Sequence, residues 1–244
     1  MGETPSHDPS VSNEPHLGSF GPPPTSSSDL DADQIEQTVW DEPALSGAPI
    51  SLPEDAATYA KWLRVQIAGT SYVFSWGMCL LVALAAGPFS VLTSILYEMT
   101  AGVPGFILAT TIVAPITEEL MKVAIALWVV EKRPYWFVSG WQVMFCAAAG
   151  GLVFGALENV LYLDVRIENP PPALVYWRWT VCTALHVGCA SISGIGLLRI
   201  WRNSIGELSR PRLQDGAVYA VLAIAIHSIY NAFAIAYEVV GGGF

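Results

Sequence analysis

The chain has 244 residues, of which 53% are hydrophobic and 13% charged, with a formal net charge of −10. That charge sits at one end: residues 1–60 hold eleven Asp or Glu and no Lys or Arg, whereas residues 61–244 hold ten acidic and eleven basic residues. A long apolar, nearly neutral body with no soluble catalytic domain attached excludes an ordinary cytosolic enzyme, and no nucleic-acid partner is expected.

The first segment is rich in Pro, Ser and Asp, as in Gly21-Pro-Pro-Pro-Thr-Ser-Ser-Ser28 and Asp29-Leu-Asp-Ala-Asp33. It buries too little apolar surface to offset chain entropy, so residues 1–60 are expected to form a disordered acidic tail. The first apolar run begins only after about 60 polar residues, which does not fit a cleavable signal peptide. Met1-Gly2-Glu-Thr-Pro-Ser6 matches a myristoylation pattern too loosely to carry weight in a chain anchored by helices.

A membrane-crossing helix needs about 20 mostly apolar residues. Residues 66–87 qualify. Residues 88–114 are apolar but interrupted by Glu98 and by Ala101-Gly-Val-Pro-Gly105, which predicts one kinked helix or two short ones. Residues 115–130 continue that run, and 136–163, 174–198 and 217–240 are three further spans. The expectation is an all-α, polytopic bundle of five to six or more transmembrane helices over residues 61–244, in a cell membrane of bacterial type. Ala147, Gly151 and Gly155 recur every four residues and predict a close helix–helix approach. Trp136, Trp141, Trp177 and Trp179 suit an interfacial belt. The Arg-rich stretch 199–212 and Lys132-Arg133 point to the cytoplasmic side. Lys61 and Arg64 agree only if residues 88–114 do not make a separate crossing. Cys79, Cys146, Cys182 and Cys189 all lie in apolar segments without metal-ligand spacing and are assigned to packing.

Ionisable residues at bilayer depth are costly and therefore functional candidates. Glu118 and Glu119 stand in Ala114-Pro-Ile-Thr-Glu-Glu-Leu-Met-Lys122, with Lys122 at i+4 and i+3 to neutralise one of them. Two neighbouring carboxylates can hold one proton between them, which suits acid–base chemistry. A lone pair of this kind serves equally well as a structural ion pair. Phe154-Gly-Ala-Leu-Glu158-Asn159 adds a third acid, and Ala184-Leu-His186 an imidazole; each taken singly is more often structural than catalytic. His227-Ser-Ile-Tyr-Asn231 places an imidazole and a carboxamide on one helix face, where both can donate to a developing oxyanion. His186 and His227 are the two histidines of residues 61–244.

Glu118-Glu119-x-x-Lys122, Phe154-x-x-x-Glu158-Asn159, His186 and His227-x-x-x-Asn231, in that order on successive helices, resemble the motif set of the PrsW family of intramembrane proteases. That family is related to the type II CAAX prenyl endopeptidases and the wider CPBP (Abi) group. The resemblance covers about residues 62–240. It implies an endopeptidase that cuts membrane-anchored proteins, with regulators such as anti-sigma factors as substrates. It also implies Glu118 as the base that activates water, Glu119 in support, His186 holding the water, and His227 with Asn231 stabilising the oxyanion. Glu158-Asn159 follows the PrsW version of the second motif where CAAX-type members carry His, which argues against a prenylated substrate. Lys122 stands where those members carry Arg, keeping the charge but losing bidentate geometry.

No cofactor is expected on this reading. The alternative within hydrolases is a zinc site built from Glu118, Glu158, His186 and His227, although the chain lacks His-Glu-x-x-His. From another class, the same residues suit a proton relay or transporter, but no second broken helix matches the Pro/Gly interruption of the first half.

Overall fold

The computed structural model describes residues 58–100 and 105–240; the expected acidic tail lies outside the described residues, apart from its last few positions. All regular structure among the described residues is helical. Helix α1 (Tyr59–Gly69) starts at Thr58, whose hydroxyl accepts the Lys61 amide at 3.3 Å. Helix α2 (Tyr72–Leu84) starts at Ser71, which accepts the Phe74 amide at 3.2 Å. The apolar run over residues 66–87 is therefore two helices. Thr70 and Ser71 adopt extended backbone, and the Ser71 hydroxyl offers a better start than a continued α-helix would.

After a turn at Ala85, α3 (Ala86–Thr100) continues the direction of α2, and residues Tyr72–Thr93 make one crossing. Helix α4 (Phe106–Leu108) runs without a break through a π-helical turn (Ala109–Val113) into α5 (Ala114–Lys132). Helix α6 (Gly140–Val160) ends in a π-helical turn (Leu161–Arg166). Helix α7 (Pro172–Trp177) joins α8 (Thr183–Glu207) through a third such turn (Arg178–Cys182), and α9 (Ala217–Val239) closes the bundle.

Four stretches are long and apolar enough to span a bilayer: Tyr72–Thr93, Gly140–Arg166, Pro172–Glu207 and Ala217–Tyr237. The continuous helix over residues 106–132 is about 40 Å long at 1.5 Å per residue, which also suffices. Its composition disguises it, because it carries Glu118, Glu119 and Lys122. Among the described residues this helix and the four stretches make five candidate crossings, with α2 and α3 contributing one together.

One end of the bundle gathers the cations. Ser75 donates to the Trp136 carbonyl at 2.6 Å and Trp201 donates to the Pro134 carbonyl at 2.8 Å, so the start of α2, the turn Pro134–Trp136 and the end of α8 are neighbours. Lys132, Arg133, Arg199, Arg202, Arg210 and Arg212 all belong to this end, which the charge bias assigns to the cytoplasm. The parity question raised by Lys61 and Arg64 is answered by α3, which completes a crossing instead of starting one.

The core holds Cys79, Val82, Val123, Ala126, Val130, Val143, Cys146, Ala147 and Leu197. All four cysteines are buried, in keeping with a packing role. Helices α6 and α8 approach most closely along the predicted small-residue stripe. A methyl group on Gly151 would lie 2.6 Å from Ala190 Cβ and 2.7 Å from the His186 carbonyl oxygen. Outward-facing Val221, Ile229, Phe233 and Tyr237 on α9 are exposed, as lipid-facing side chains are.

Candidate active site

Glu118 and Glu119 sit one turn into α5, behind Pro115, which has no N–H to donate and directly follows the π-helical turn. Being consecutive, they point about 100° apart, and the structure divides them. Glu119 is buried and its Oε1 accepts both Lys122 Nζ and His227 Nδ1, each at 2.6 Å. Lys122 Nζ also lies 5.0 Å from the centre of the Phe154 ring, which covers the cation. Glu118 has no such close partner. Its Oε2 is 3.8 Å from His227 Nε2 and 4.0 Å from Lys122 Nζ, beyond hydrogen-bond reach of either.

The Glu119 contact decides the state of His227. A carboxylate can only accept, so Nδ1 carries the proton, and in the neutral ring Nε2 then presents a lone pair toward Glu118. Such a carboxylate-oriented imidazole suits a metal ligand or a proton acceptor. It serves as an oxyanion donor only when the ring is charged.

On α6, Glu158 meets two partners from the next crossing. Arg178 donates to its Oε1 at 3.1 Å, and His186 Nε2 lies 2.7 Å from its Oε2. Arg178 also donates through Nε to Asn159 Oδ1 at 3.1 Å and lies over the Tyr162 ring at 4.2 Å. The His186 ring is fixed by Phe154 at 5.7 Å and by the backbone of Gly155, where a methyl would come within 3.1 Å of the imidazole. The His186 and His227 rings meet edge to face at 5.3 Å.

The two asparagines of the sequence motifs have a shared task. Asn159 donates to the Arg178 carbonyl at 3.0 Å, and Asn231 donates to the Thr110 carbonyl at 3.0 Å. Both carbonyls lie in π-helical turns, where the usual helical bonding is disrupted. In lipid an unpaired backbone carbonyl costs several kcal/mol; Asn231 supplies a donor to Thr110, whereas the Arg178 carbonyl also accepts from the Thr183 amide and hydroxyl, so that Asn159 reinforces its turn. Thr110, Thr111 and Thr180 help by donating to carbonyls four residues back. One N–H of Asn231 is thereby committed.

Glu118, Glu158, Arg178, His186, His227, Tyr230 and Asn231 all line a cavity of about 390 Å³. It extends to Ile167 and Pro171 in the loop after α6, at the end of the bundle opposite the arginine cluster. Every residue singled out from the sequence is therefore at or directly behind one cavity: Lys122, Glu119, Phe154 and Asn159 form its backing, and the others its wall. The sequence motifs do not single out Arg178 or Tyr230, which the structure adds to the cavity wall. Arg178 stands between two tryptophans at a helix end, where an arginine reads as an interfacial anchor, and only its three-dimensional partners distinguish it.

Glu118, His186 and His227 bring one ligand atom each to within 4.8 Å of one another. Two imidazoles and a carboxylate are a donor set that zinc accepts, the Glu118 Oε2 is buried without a hydrogen-bond partner, and Glu119 orients His227 as a second-layer carboxylate does. These residues fit a divalent ion.

Searches among curated proteins and among solved structures return no match. A sequence model described as PrsW family intramembrane metalloprotease matches residues 68–243. The match takes in all five crossings, and the chain belongs to the PrsW family of intramembrane proteases.

Proposed function

We propose that the chain is an endopeptidase for membrane-anchored proteins, with anti-sigma-type regulators as first candidate substrates, and that a water held among Glu118, His186 and His227 attacks the scissile carbonyl. The division among three glutamates supports this reading. Glu119 accepts from Lys122 and His227, and Glu158 accepts from Arg178 with His186 Nε2 2.7 Å from its other oxygen, while Glu118 faces the cavity with the closest imidazole or cationic nitrogen 3.8 Å away. A carboxylate so placed accepts a proton. Glu118 takes it from the water as the water oxygen bonds to the carbonyl carbon and the carbonyl π pair moves onto oxygen. When the C–N bond breaks, Glu118 returns the proton to nitrogen, leaving a carboxyl group on one fragment and an amine on the other. His186 is aimed by Glu158 and Gly155 to hold the water. His227 turns its Nε2 lone pair to the same water, and the remaining N–H of Asn231, on the same helix face, is the donor it leaves for the oxyanion side.

A second reading is favoured by the ligand geometry and by the name of the family. Glu118, His186 and His227 would hold a zinc-class ion, with Glu158 adjacent and Glu119 fixing the His227 tautomer. A bound ion of this class polarises a carbonyl and acidifies a bound water. The lone pair that Glu119 imposes on His227 Nε2 supports this reading. Elemental analysis of protein purified without chelator distinguishes the two: about one zinc-class ion per chain, lost in Glu118→Gln and His227→Ala, establishes the ion, and activity surviving exhaustive chelation eliminates it.

The reaction itself is tested with purified protein in lipid vesicles and single-span candidate substrates. Glu118→Gln is expected to lower cleavage by about 10³-fold, the scale of an essential general base. Unchanged cleavage by a folded Glu118→Gln variant refutes the site. The transporter reading requires no cleavage by the wild type, and family membership weighs against it.

A further inference from the structure

We propose that Tyr230 is a catalytic hydrogen-bond donor whose phenolic O–H binds the oxyanion formed when the scissile carbonyl is attacked. This rests on the peptidase reading above. The reaction moves a full electron pair onto the carbonyl oxygen, so the cavity needs a donor there that is neither charged off nor spent elsewhere.

The donors already noted are largely spent. His227 gives its Nδ1 proton to Glu119, Asn231 gives one N–H to the Thr110 carbonyl, Lys122 is held by Glu119, and Arg178 divides its guanidinium between Glu158 and Asn159. Tyr230 differs. Trp177 Nε1, a donor with no acceptor capacity, reaches Tyr230 Oη at 2.8 Å. The proton in that bond belongs to Trp177, so the phenol keeps its own. The other neighbour of Oη is Cys182 Sγ at 3.1 Å. Sulfur accepts weakly, and if the thiol is instead the donor, the phenol proton is not spent on it at all. In both cases an oxyanion outcompetes what Tyr230 now has.

Placement agrees. Tyr230 lies three residues after His227 on α9, hence on the same helix face, and both line the cavity. Trp177 reaches it from the preceding crossing and fixes the oxygen before substrate arrives. A donor held in place beforehand needs little reorganisation during the reaction, which is the property that makes such donors effective.

The test is steady-state cleavage in lipid vesicles of a single-span protein that the wild type cuts and Glu118→Gln does not. Tyr230→Phe is expected to lower kcat about 100-fold, the usual loss for one oxyanion donor, with KM within about threefold and the melting temperature nearly unchanged. Trp177→Phe removes the same hydrogen bond from the other side but leaves Tyr230 its proton, and its loss is expected to be at least tenfold smaller. Tyr230→Phe cutting at the wild-type rate overturns the proposal. So do equal losses in the two variants, which assign the effect to the bond between them, or a change confined to KM. Failure of the peptidase reading has a separate signature, namely Glu118→Gln cutting as fast as the wild type.

Discussion

A buried lysine and a histidine share a single oxygen of Glu119, and that sharing separates structure from chemistry within the Glu-Glu pair. Removing one member of a buried pair strands the other, at a cost of about 3–5 kcal/mol. Glu119→Gln is therefore expected to destabilise the protein by that order in thermal unfolding in detergent. Adding Lys122→Met is expected to restore most of the stability by removing the stranded cation, without restoring cleavage, because His227 still lacks the carboxylate that sets its tautomer. Full recovery of cleavage in the double variant contradicts that role for Glu119. Arg178 is the counterpart on the Glu158 side. Arg178→Lys keeps the charge, but one ammonium cannot serve Glu158 and Asn159 with the geometry of a guanidinium. Cleavage by this variant is expected to fall at least tenfold and by Arg178→Ala further, while equal activity of Arg178→Lys and wild type rules out a need for the fork. The ionisable residues were legible in the sequence because charge inside an apolar run is conspicuous. Arg178 was not, because arginine at the end of such a run looks like an anchor. Pairing is not written in one dimension either: His227 meets Glu119, 108 residues away.

At the scale of elements, the stripe Ala147, Gly151, Gly155 was legible through its spacing, and the structure shows its use. The missing side chains let α8 lie against α6 closely enough to bring His186 beside Glu158. Gly151→Ala pushes a methyl into the Ala190 Cβ and a backbone carbonyl, neither of which can swing away. A destabilisation of about 1–3 kcal/mol is expected from such overpacking, read by thermal unfolding. Gly155→Ala meets the His186 imidazole instead, at 3.1–3.3 Å. It is expected to alter cleavage more than stability, because what must move is the ring that lines the cavity. Comparable stability loss in both variants argues against this distinction. The helix break at Thr70 and the three π-helical turns were not legible. A serine inside an apolar run carries little signal, and hydrophobic periodicity does not register one additional residue in a turn.

For the whole molecule, apolarity identified the membrane class and most crossings, and charge bias gives the orientation that remains an expectation. The helix over residues 106–132 was harder to count because the residues that give the protein its site are those that lower its hydropathy. The five-crossing arrangement puts the turn Leu213–Asp215 and the loop after α6 on opposite sides of the membrane. Gln214 and Glu168 are both exposed there, and the native cysteines are buried. A membrane-impermeant maleimide is expected to label Glu168→Cys in intact cells and Gln214→Cys only after permeabilisation. The reverse pattern inverts the orientation, and labelling of both from one side removes a crossing.

The π-helical turns have a consequence for mutation by length. Bonding from i to i+5 accommodates an additional residue, and each residue in a helix advances the next by about 100°. Loss of Val181, a partly exposed valine with no chemistry of its own, would let the turn relax to ordinary α-helix and rotate Arg178 away from the face that carries His186. The chain between Arg178 and His186 thus behaves as a ruler, and a single-codon deletion there is predicted to be more damaging than most substitutions at the same positions.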